Sequence, residues 1–278
     1  MKTVLIISSF VSASRVGATA SAFCMRRLGI EVIILPTTLF GRHPGWGSPG
    51  GTSTPPEILR DMWAGIKAQD ILFDGVMTGY MADPDHVALA CDIIDHVKNN
   101  NPKADILVDP VMGDHGKLYV KNGVAKAICN DLIHRADMTT PNVWELNFLL
   151  DKKAETIEDI ERALSSLPMK VMVTSVHSNS EIGVLYKDNH RSALITHPKY
   201  TSVPNGGGDS LAATFFALYL SDLPPIDALA RATASIFAII KAAQKDDLGE
   251  LPLIRMQDAL VNTPPFEIRT PPYDRHAL

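Results

Sequence analysis

Short, continuous apolar runs alternate along the chain with longer stretches in which apolar residues recur at helical spacing. An apolar run over residues 4–7 is followed by a helical pattern over 17–28 and a second run over 31–35. A strand without alternating polar positions is typical of a parallel sheet that is buried on both faces. The first 35 residues therefore predict a βαβ unit with parallel pairing of its strands.

The same alternation continues to about residue 245. Further strands are predicted over 71–78, 106–108, 137–140 and 170–174, and an antiparallel pair over 181–186 and 191–196. Further helices are predicted over 58–67, 83–99, 121–133, from 142, and over 156–167, 208–221 and 226–245. We therefore predict one domain over residues 1–278 with an α/β fold of three layers (α/β/α). Its central sheet is mainly parallel with an antiparallel extension, and helices cover both faces.

Two segments fit neither periodicity. Residues 36–56 hold five prolines and five glycines, and this predicts a long loop that serves a function or moves. The tail over 264–278 is rich in proline, and we expect it to be irregular.

Composition narrows the class of protein. A net charge of −5 gives no reason to expect nucleic acid or an anionic membrane as a partner. No apolar run approaches the roughly 18 residues of a membrane span, and the apolar start is too short for a signal peptide. Cys24, Cys91 and Cys129 match neither a disulfide framework nor a zinc site, so we expect free thiols in a cytoplasmic protein.

The stretch Val-Pro-Asn-Gly-Gly-Gly-Asp over 203–209 runs directly into an apolar helical pattern. Amides of Gly206, Gly207 and Gly208 can approach a ligand closely, and the first N–H groups of a helix lack intrahelical partners. This combination predicts a phosphate site. The local pattern leaves two interpretations of Asp209: the N-cap of the helix, or a general base that takes a proton from an attacking alcohol.

Two other carboxylates lie where open α/β sheets place their ligands. Asp109 follows a predicted strand, and Glu145 lies in the first turn of a helix capped by Asn142. Each also has a structural interpretation, Asp109 as a turn residue and Glu145 as a carboxylate favoured by the helix dipole.

Five segments match known motifs in order and spacing. They are Gly-Gly-Gly-Asp at 206–209, Asp-Pro-Val-Met-Gly-Asp at 109–114, Thr-Pro-Asn-Val-Trp-Glu at 140–145, Thr-Gly-Tyr at 78–80 and Met-Arg-Arg-Leu-Gly at 25–29. Together they resemble the pyridoxal kinases of the ribokinase-like superfamily over about residues 3–245. The resemblance implies a ribokinase-like fold, ATP-dependent phosphorylation of the 5′-hydroxymethyl group of pyridoxal, and a homodimer.

The resemblance also implies roles for residues. Asp209 is the base, and Gly206, Gly207 and Gly208 hold the transferring phosphate. Asp109 and Glu145 organise Mg²⁺. The residues implied to bind ATP are Asp109, Thr140, Asn142, Glu145, Thr174 and Ser175. The residues implied to bind the vitamer are Ser9, His43, Pro44, Gly45, Tyr80 and Asp209.

This chain departs from the family pattern on the substrate side, in the turn over 10–15, at Ala18 and at Pro44. Two alternatives therefore stay open. A hydroxymethylpyrimidine kinase has similar segments, although that group typically places Cys at the position of Asp209. A non-catalytic protein of the same fold that binds a B6 vitamer or a nucleotide is the other alternative.

Overall fold

The computed structural model describes residues 1–178, 180–200, 202–271 and 273. Its strands, in chain order, are β1 (Thr3–Val11), β2 (Glu31–Phe40), β3 (Gly51–Ser53), β4 (Gly75–Thr78), β5 (Asp105–Val108), β6 (Gly113–Asp114), β7 (Lys117–Leu118), β8 (Met138–Thr139), β9 (Lys170–Ser178), β10 (Glu181–Lys187) and β11 (Ser192–Pro198). Nine of them form one sheet in the order β11-β10-β9-β8-β5-β4-β1-β2-β3, while β6 and β7 form a separate small hairpin.

The helices lie between these strands and after the last of them. In chain order they are α1 (Gly17–Arg27), α2 (Pro56–Lys67), α3 (Pro84–Asn100), α4 (Asn122–Ala127), α5 (Val143–Leu150), α6 (Ile157–Leu164), α7 (Gly207–Leu220), α8 (Pro225–Lys245) and α9 (Ala259–Asn262). Within the described part of the chain, no helix combines the length and the apolar character that crossing a bilayer requires.

The central strands pair in parallel. β1 pairs with β2 and β4, β4 with β5, β5 with β8, and β8 with β9, all in parallel register. β10 then pairs antiparallel with both β9 and β11, and β3 pairs antiparallel with β2. The prediction of a mainly parallel sheet with an antiparallel extension is therefore confirmed, and the carboxyl ends of the parallel strands meet at one edge.

β1 shows why the sheet needs helices on both faces. Val4 and Ile6 are fully buried in a core with α1, α7 and α8, while Leu5 and Ile7 are buried in a second core with α2, α3 and α4. Successive side chains of a strand point to opposite faces, so a continuous apolar run needs cover on both sides. The predicted three layers follow from this.

The predicted end of β2 was wrong. We expected the strand to stop at residue 35, because proline seldom lies inside a central strand. The strand continues to Phe40, and Pro36 lies where the register between β1 and β2 shifts, next to Ser8 and Ser9. Pro36 pairs with Ser8 and Thr38 with Ser9, so Thr37 is the residue that the bulge leaves without a partner. A proline within a strand is tolerated next to such a bulge.

The segment predicted as a loop therefore contains a hairpin. β2 turns back into β3, and residues 41–50 between them form a loop that we call the flap. A short 3₁₀ turn, Pro44–Trp46, begins at His43, whose ring Nδ1 accepts a hydrogen bond from Gly45 N–H at 3.1 Å.

Two further predictions need correction. Residues 71–74 are not in β4, which begins at Gly75; the carboxylate of Asp74 accepts the N–H of Thr3 at 2.9 Å beside the start of this strand. The helix predicted over 121–133 becomes a π turn at 128–132 and a 3₁₀ turn at 133–135, and both turns keep buried side chains in the core. In the tail, Arg269 pairs with Leu194 of β11. Residues 272 and 274–278 of that tail lie outside the described residues.

Candidate active site

A cavity of about 180 Å³ lies where β5, β8 and β9 meet the amino end of α7, and we call it the first cavity. Seven residues singled out in the sequence line it, namely Asp109, Thr140, Asn142, Glu145, Thr174, Gly208 and Asp209. Asp109 and Thr140 directly follow strands that lie side by side, so the parallel pairing brings together residues that are 31 positions apart. A hydrogen bond of 2.9 Å joins the Thr140 hydroxyl to the Asp109 carboxylate.

Glu145 is held by backbone donors. One of its oxygens accepts the N–H of Met112 at 2.9 Å and that of Gly113 at 3.4 Å, and the other accepts the N–H of Asn142 at 2.9 Å. The Asn142 side chain in turn accepts the N–H of Glu145 at 2.8 Å, which completes a capping box at the start of α5. The carboxylate is thus fixed in place between a helix and the loop that follows β5.

Burial favours the neutral form of both Glu145 and Asp109. It raises the pKa of Glu145 to about 7, although the three backbone N–H donors act in the opposite direction. It raises the pKa of Asp109 well above the usual value, and the charges of Glu145 and Asp209 add to the rise, against the hydrogen bond from Thr140. Three buried acids line one cavity, and the charges of two of them act on Asp109, so positive charge is favoured in this site.

A second cavity, of about 620 Å³, opens between the ends of β1 and β4 and the flap. All six residues implied to bind the vitamer line it, namely Ser9, His43, Pro44, Gly45, Tyr80 and Asp209. The flap residues are far from Tyr80 in sequence, and the extension of β2 past Pro36 carries them over the cavity. The volume suits a small organic molecule, because ligand pockets typically span about 300–1,000 Å³.

Asp209 borders both cavities. Burial raises the pKa of its carboxyl group, while the backbone N–H of Gly17 and the nearby His43 act in the opposite direction. Val111 and Tyr119 are the other two residues that line both spaces. The two cavities therefore meet at the Asp209 carboxylate. Two molecules bound in the two cavities could react with each other beside this group.

The three glycines before Asp209 are not equivalent. Gly206 has φ +89°, and a Cβ there would collide with the carbonyl oxygen of Arg15, so the backbone itself requires glycine. Gly207 and Gly208 lie inside α7, with no close contact for an added Cβ at Gly208. Glycine at 208 is thus not required for packing, and a ligand that must approach the helix end closely is a reason for it.

Some residues predicted from the sequence lie outside both cavities, and some residues that line the cavities were not predicted. Ser175 is exposed, with φ +60°, and neither Ser175 nor Gly207 lines the two cavities. Tyr119 and Asn205 line the site but were missed; Tyr119 belongs to no motif, while Asn205 directly precedes the glycines. Gly17 was expected only to start a helix, and its positive φ of +54° is a feature that a sequence does not show directly.

The donor set around the first cavity suits a metal ion of a particular kind. Among the described residues, no group of three or more His, Cys, Asp or Glu side chains is arranged to hold one. Two separated carboxylates, Asp109 and Glu145, suit Mg²⁺, which keeps several waters and needs few protein ligands. The buried acids that repel each other in this cavity also fit a divalent cation. The residues present therefore fit Mg²⁺.

Comparison with known proteins identifies the family. A family model described as phosphomethylpyrimidine kinase matches residues 47–253. A protein named pyridoxal kinase PdxY, from Corynebacterium diphtheriae, is 30% identical over 270 residues, with 93% of this chain and 95% of that protein covered. The chain belongs to the pyridoxal kinase family. It is therefore a kinase that phosphorylates an alcohol group.

Solved structures agree with this membership. Pyridoxal kinase from Entamoeba histolytica superposes with a TM-score of 0.91 at 25% identity, covering 97% of this chain and 99% of that chain. A protein from Bacteroides thetaiotaomicron, titled a putative phosphomethylpyrimidine kinase, was solved with pyridoxal; its TM-score is 0.87 at 25% identity, covering 96% and 99%. The ribokinase-like fold expected from the sequence is thereby confirmed.

The family model and the relative from C. diphtheriae match different extents of the chain. Residues 47–253 contain Asp109, Glu145 and Asp209 but not Ser9 or His43. The family model therefore matches the residues of the first cavity and leaves out much of the second cavity. The relative from C. diphtheriae, in contrast, matches over nearly the whole chain.

We predict that Gly208→Ala folds like the parent but binds nucleotide about tenfold more weakly. Its methyl group meets no protein atom within 4 Å and occupies the space next to the first cavity. Calorimetric titration with an ATP analogue measures binding, and thermal unfolding measures stability. Gly206→Ala is the matched control and should lose roughly 1–3 kcal/mol of stability because of its positive φ. Parent-like nucleotide binding by Gly208→Ala would contradict a phosphate site at this helix end.

We predict that Asp109→Asn stabilises the ligand-free protein at pH 8 and slows phosphoryl transfer at least about tenfold. An acid whose pKa is raised on folding stabilises the fold at low pH, and that contribution is lost as pH rises through the folded pKa. Removing this charge should gain about 1.4 kcal/mol for each unit of the rise. Urea unfolding between pH 5 and pH 8 provides the measurement.

Asp105→Asn is the matched control for this variant. Asp105 begins β5, at the opposite end of the strand from Asp109, and burial raises its pKa as well. It should change stability and leave the rate unchanged. An Asp109→Asn variant with the parent's pH dependence of unfolding would show that folding does not raise the pKa of Asp109.

Proposed function

We propose that this chain transfers the terminal phosphoryl group of ATP to the 5′-hydroxymethyl group of pyridoxal and so forms pyridoxal 5′-phosphate. The observation that carries the proposal is the position of Asp209 on the border of both cavities. ATP occupies the first cavity from the side of β8 and β9, and the vitamer occupies the second cavity under the flap. The reacting oxygen and phosphorus then meet at Asp209.

Asp209 acts as the general base. As the vitamer oxygen attacks phosphorus, its proton passes to the carboxylate, and the bond between the phosphorus and the ADP oxygen breaks. A base works best when its pKa lies near the working pH, and burial moves the pKa of Asp209 upward in that direction. The backbone N–H of Gly17 acts on the same carboxylate and favours the charged form that accepts the proton.

The amino end of α7 holds the transferring phosphate. The first N–H groups of a helix have no intrahelical partner, and the helix dipole adds partial positive charge there. Gly206 turns the chain into the helix, and the unhindered Gly207 and Gly208 let phosphate oxygens approach the backbone. Phosphoryl transfer depends mainly on such positioning and charge neutralisation.

Mg²⁺ accompanies the nucleotide in this proposal. Asp109 and Glu145 would hold the ion or its waters, and the ion would supply positive charge next to the phosphates. Because backbone N–H groups already occupy part of each Glu145 oxygen, this residue fits a contact through water. Thr140, Asn142, Thr174 and the exposed Ser175 contact the nucleotide.

The walls of the second cavity bind the vitamer. Ser9 and Tyr80 extend from β1 and β4, and His43, Pro44 and Gly45 approach from the flap. Hydroxyl and ring nitrogen donors on these side chains match the polar groups of a substituted pyridine. The aromatic ring of Tyr80 offers an apolar surface for the pyridine ring.

Phosphorylation of hydroxymethylpyrimidine is a second candidate, because the matching family model carries that description. The acceptor is a hydroxymethyl group on a nitrogen heterocycle in both cases, so the same first cavity and base would serve. Assays with pyridoxal, pyridoxine, pyridoxamine and hydroxymethylpyrimidine, each followed by identification of the phosphorylated product, separate the two candidates.

We also propose that residues 1–278 work as one kinase domain and that two chains form a homodimer in the cytoplasm. The described thiols of Cys24, Cys91 and Cys129 are free, as a reducing compartment favours.

The two edges of the sheet differ, and this difference indicates where a second chain would dock. Arg269 covers β11, whereas β3 lies at the other edge. Exposed apolar side chains, Leu39 and Ile58, lie at or next to the β3 edge. An edge strand with apolar neighbours supports a partner there.

We predict that Asp209→Asn lowers kcat by about 10²–10⁴-fold, because asparagine keeps the shape but cannot accept the proton. Nucleotide affinity should be equal or higher, since a negative charge next to phosphate is removed. Rates with pyridoxal and titration with an ATP analogue check both statements. Asp227→Asn, in the first turn of α8, is the matched control and should behave like the parent. A kcat within a few-fold of the parent would rule out Asp209 as the base.

We predict that light scattering gives twice the chain mass of 30.2 kDa and that Ile58→Glu shifts this toward a single chain. The charge would be buried without a partner if the β3 edge is the interface. Ile254→Glu is the control, because Ile254 is also exposed but lies elsewhere, near Arg15. A mass of one chain for the parent across concentrations would contradict the dimer.

A further inference from the structure

A buried histidine touches the base of the flap hairpin from outside the active site. His86 lies in the first turn of α3 and is 1% exposed. Its ring Nε2 lies 2.8 Å from the carbonyl oxygen of Thr54, the residue that directly follows β3. Neither residue lines the two cavities. The hydrogen bond therefore joins α3 to the hairpin that carries the flap.

Thr54 ties the end of the hairpin to β2. Its N–H donates to the carbonyl oxygen of Thr37 at 3.0 Å, and its hydroxyl donates to that of Pro36 at 2.7 Å. Pro36 directly precedes Thr37, the residue left unpaired at the bulge where β2 changes register against β1. Thr54 thus holds the point from which β2 extends toward the flap.

The same set of bonds reaches a wall of the second cavity. The hydroxyl of Thr37 donates to the carbonyl oxygen of Tyr80 at 2.6 Å, and Thr37 is fully buried. Tyr80 lines the second cavity on one side, and the flap that follows β2 lines it on the other. One connected set of buried bonds therefore runs from His86 to both sides of this cavity.

The chemistry of the hydrogen bond fixes the state of the ring. A carbonyl oxygen only accepts, so Nε2 of His86 must carry the hydrogen. Burial lowers the pKa of His86, which favours the neutral ring, and Nδ1 has no hydrogen-bond partner among the described residues. An apolar side chain would avoid an unpaired buried nitrogen. What the histidine supplies that an apolar side chain could not is the hydrogen bond to Thr54.

We infer that His86 is a positioning residue for the vitamer. Through Thr54 and Thr37 it fixes the distance between the flap and Tyr80, and so sets how tightly the second cavity closes on its ligand. The inference rests on the proposed function only for the identity of that ligand. The first cavity, which lies at β5, β8 and β9, is not connected to His86 by this set of bonds.

The test compares His86→Leu, His86→Gln and His96→Leu in full-length protein. His86→Leu removes the donor, and we expect KM for pyridoxal to rise about five- to tenfold, as loss of one hydrogen bond implies. Its kcat and its KM for ATP should stay within about twofold of the parent. His86→Gln offers a new N–H donor and should restore KM. His96→Leu removes a histidine of the same helix that packs on Trp63 and should change neither constant.

Two readouts do not depend on turnover. In ligand-free protein, amide hydrogen exchange over residues 39–54 should be faster in His86→Leu, while exchange over 181–198 stays unchanged. Thr54→Val removes only the hydroxyl bond to Pro36 and should raise KM for pyridoxal in the same way. This variant tests the same set of bonds if His86→Leu fails to fold.

The inference is overturned if Thr54→Val leaves KM for pyridoxal unchanged, if His86→Leu raises both KM values equally, or if exchange near the flap equals that of the parent. A parent without activity on pyridoxal would refute the proposed function, and exchange would still decide the role of His86.

Discussion

The site depends on the burial of three acids that the fold brings together around one cavity. Asp109, Glu145 and Asp209 all have raised pKa values, and burial is the largest cause in each case. A fold that only had to be stable would not collect carboxyl groups in a space of about 180 Å³. Positive charge makes the arrangement more favourable, and the proposed Mg²⁺ with the nucleotide would supply it.

The parallel sheet explains how one carboxylate borders two cavities. Strands β5, β8 and β9 end under the first cavity, and β1 and β4 end under the second, so neighbouring strands supply different ligands along one edge. Helix α7 begins at the boundary between them and places Asp209 there. The bulge at Pro36 adds the remaining wall, because it lets β2 continue past the sheet edge into the flap.

The sequence allowed the central residues to be predicted because each lies in a local pattern with a local reason. Asp109 follows an apolar run, Glu145 completes a capping box with Asn142, and the glycines precede a helix. Features that depend on distant partners could not be predicted in this way. The path of β2 beyond Pro36 depends on a register shift against β1, and the hydrogen bond of His86 with Thr54 joins residues 32 positions apart. Tyr119 reaches both cavities only because the β6–β7 hairpin folds back over the site.

A crystal structure with pyridoxal and a non-hydrolysable ATP analogue bound together would test most directly whether the reaction takes place where the two cavities meet. We expect the 5′-oxygen of pyridoxal to lie within about 3 Å of the Asp209 carboxylate, a distance suited to general-base catalysis. We also expect the terminal phosphate to contact the amino end of α7 at Gly208. Pyridoxal bound outside the second cavity, or a terminal phosphate far from Asp209, would contradict the claim that the reaction takes place where the two cavities meet.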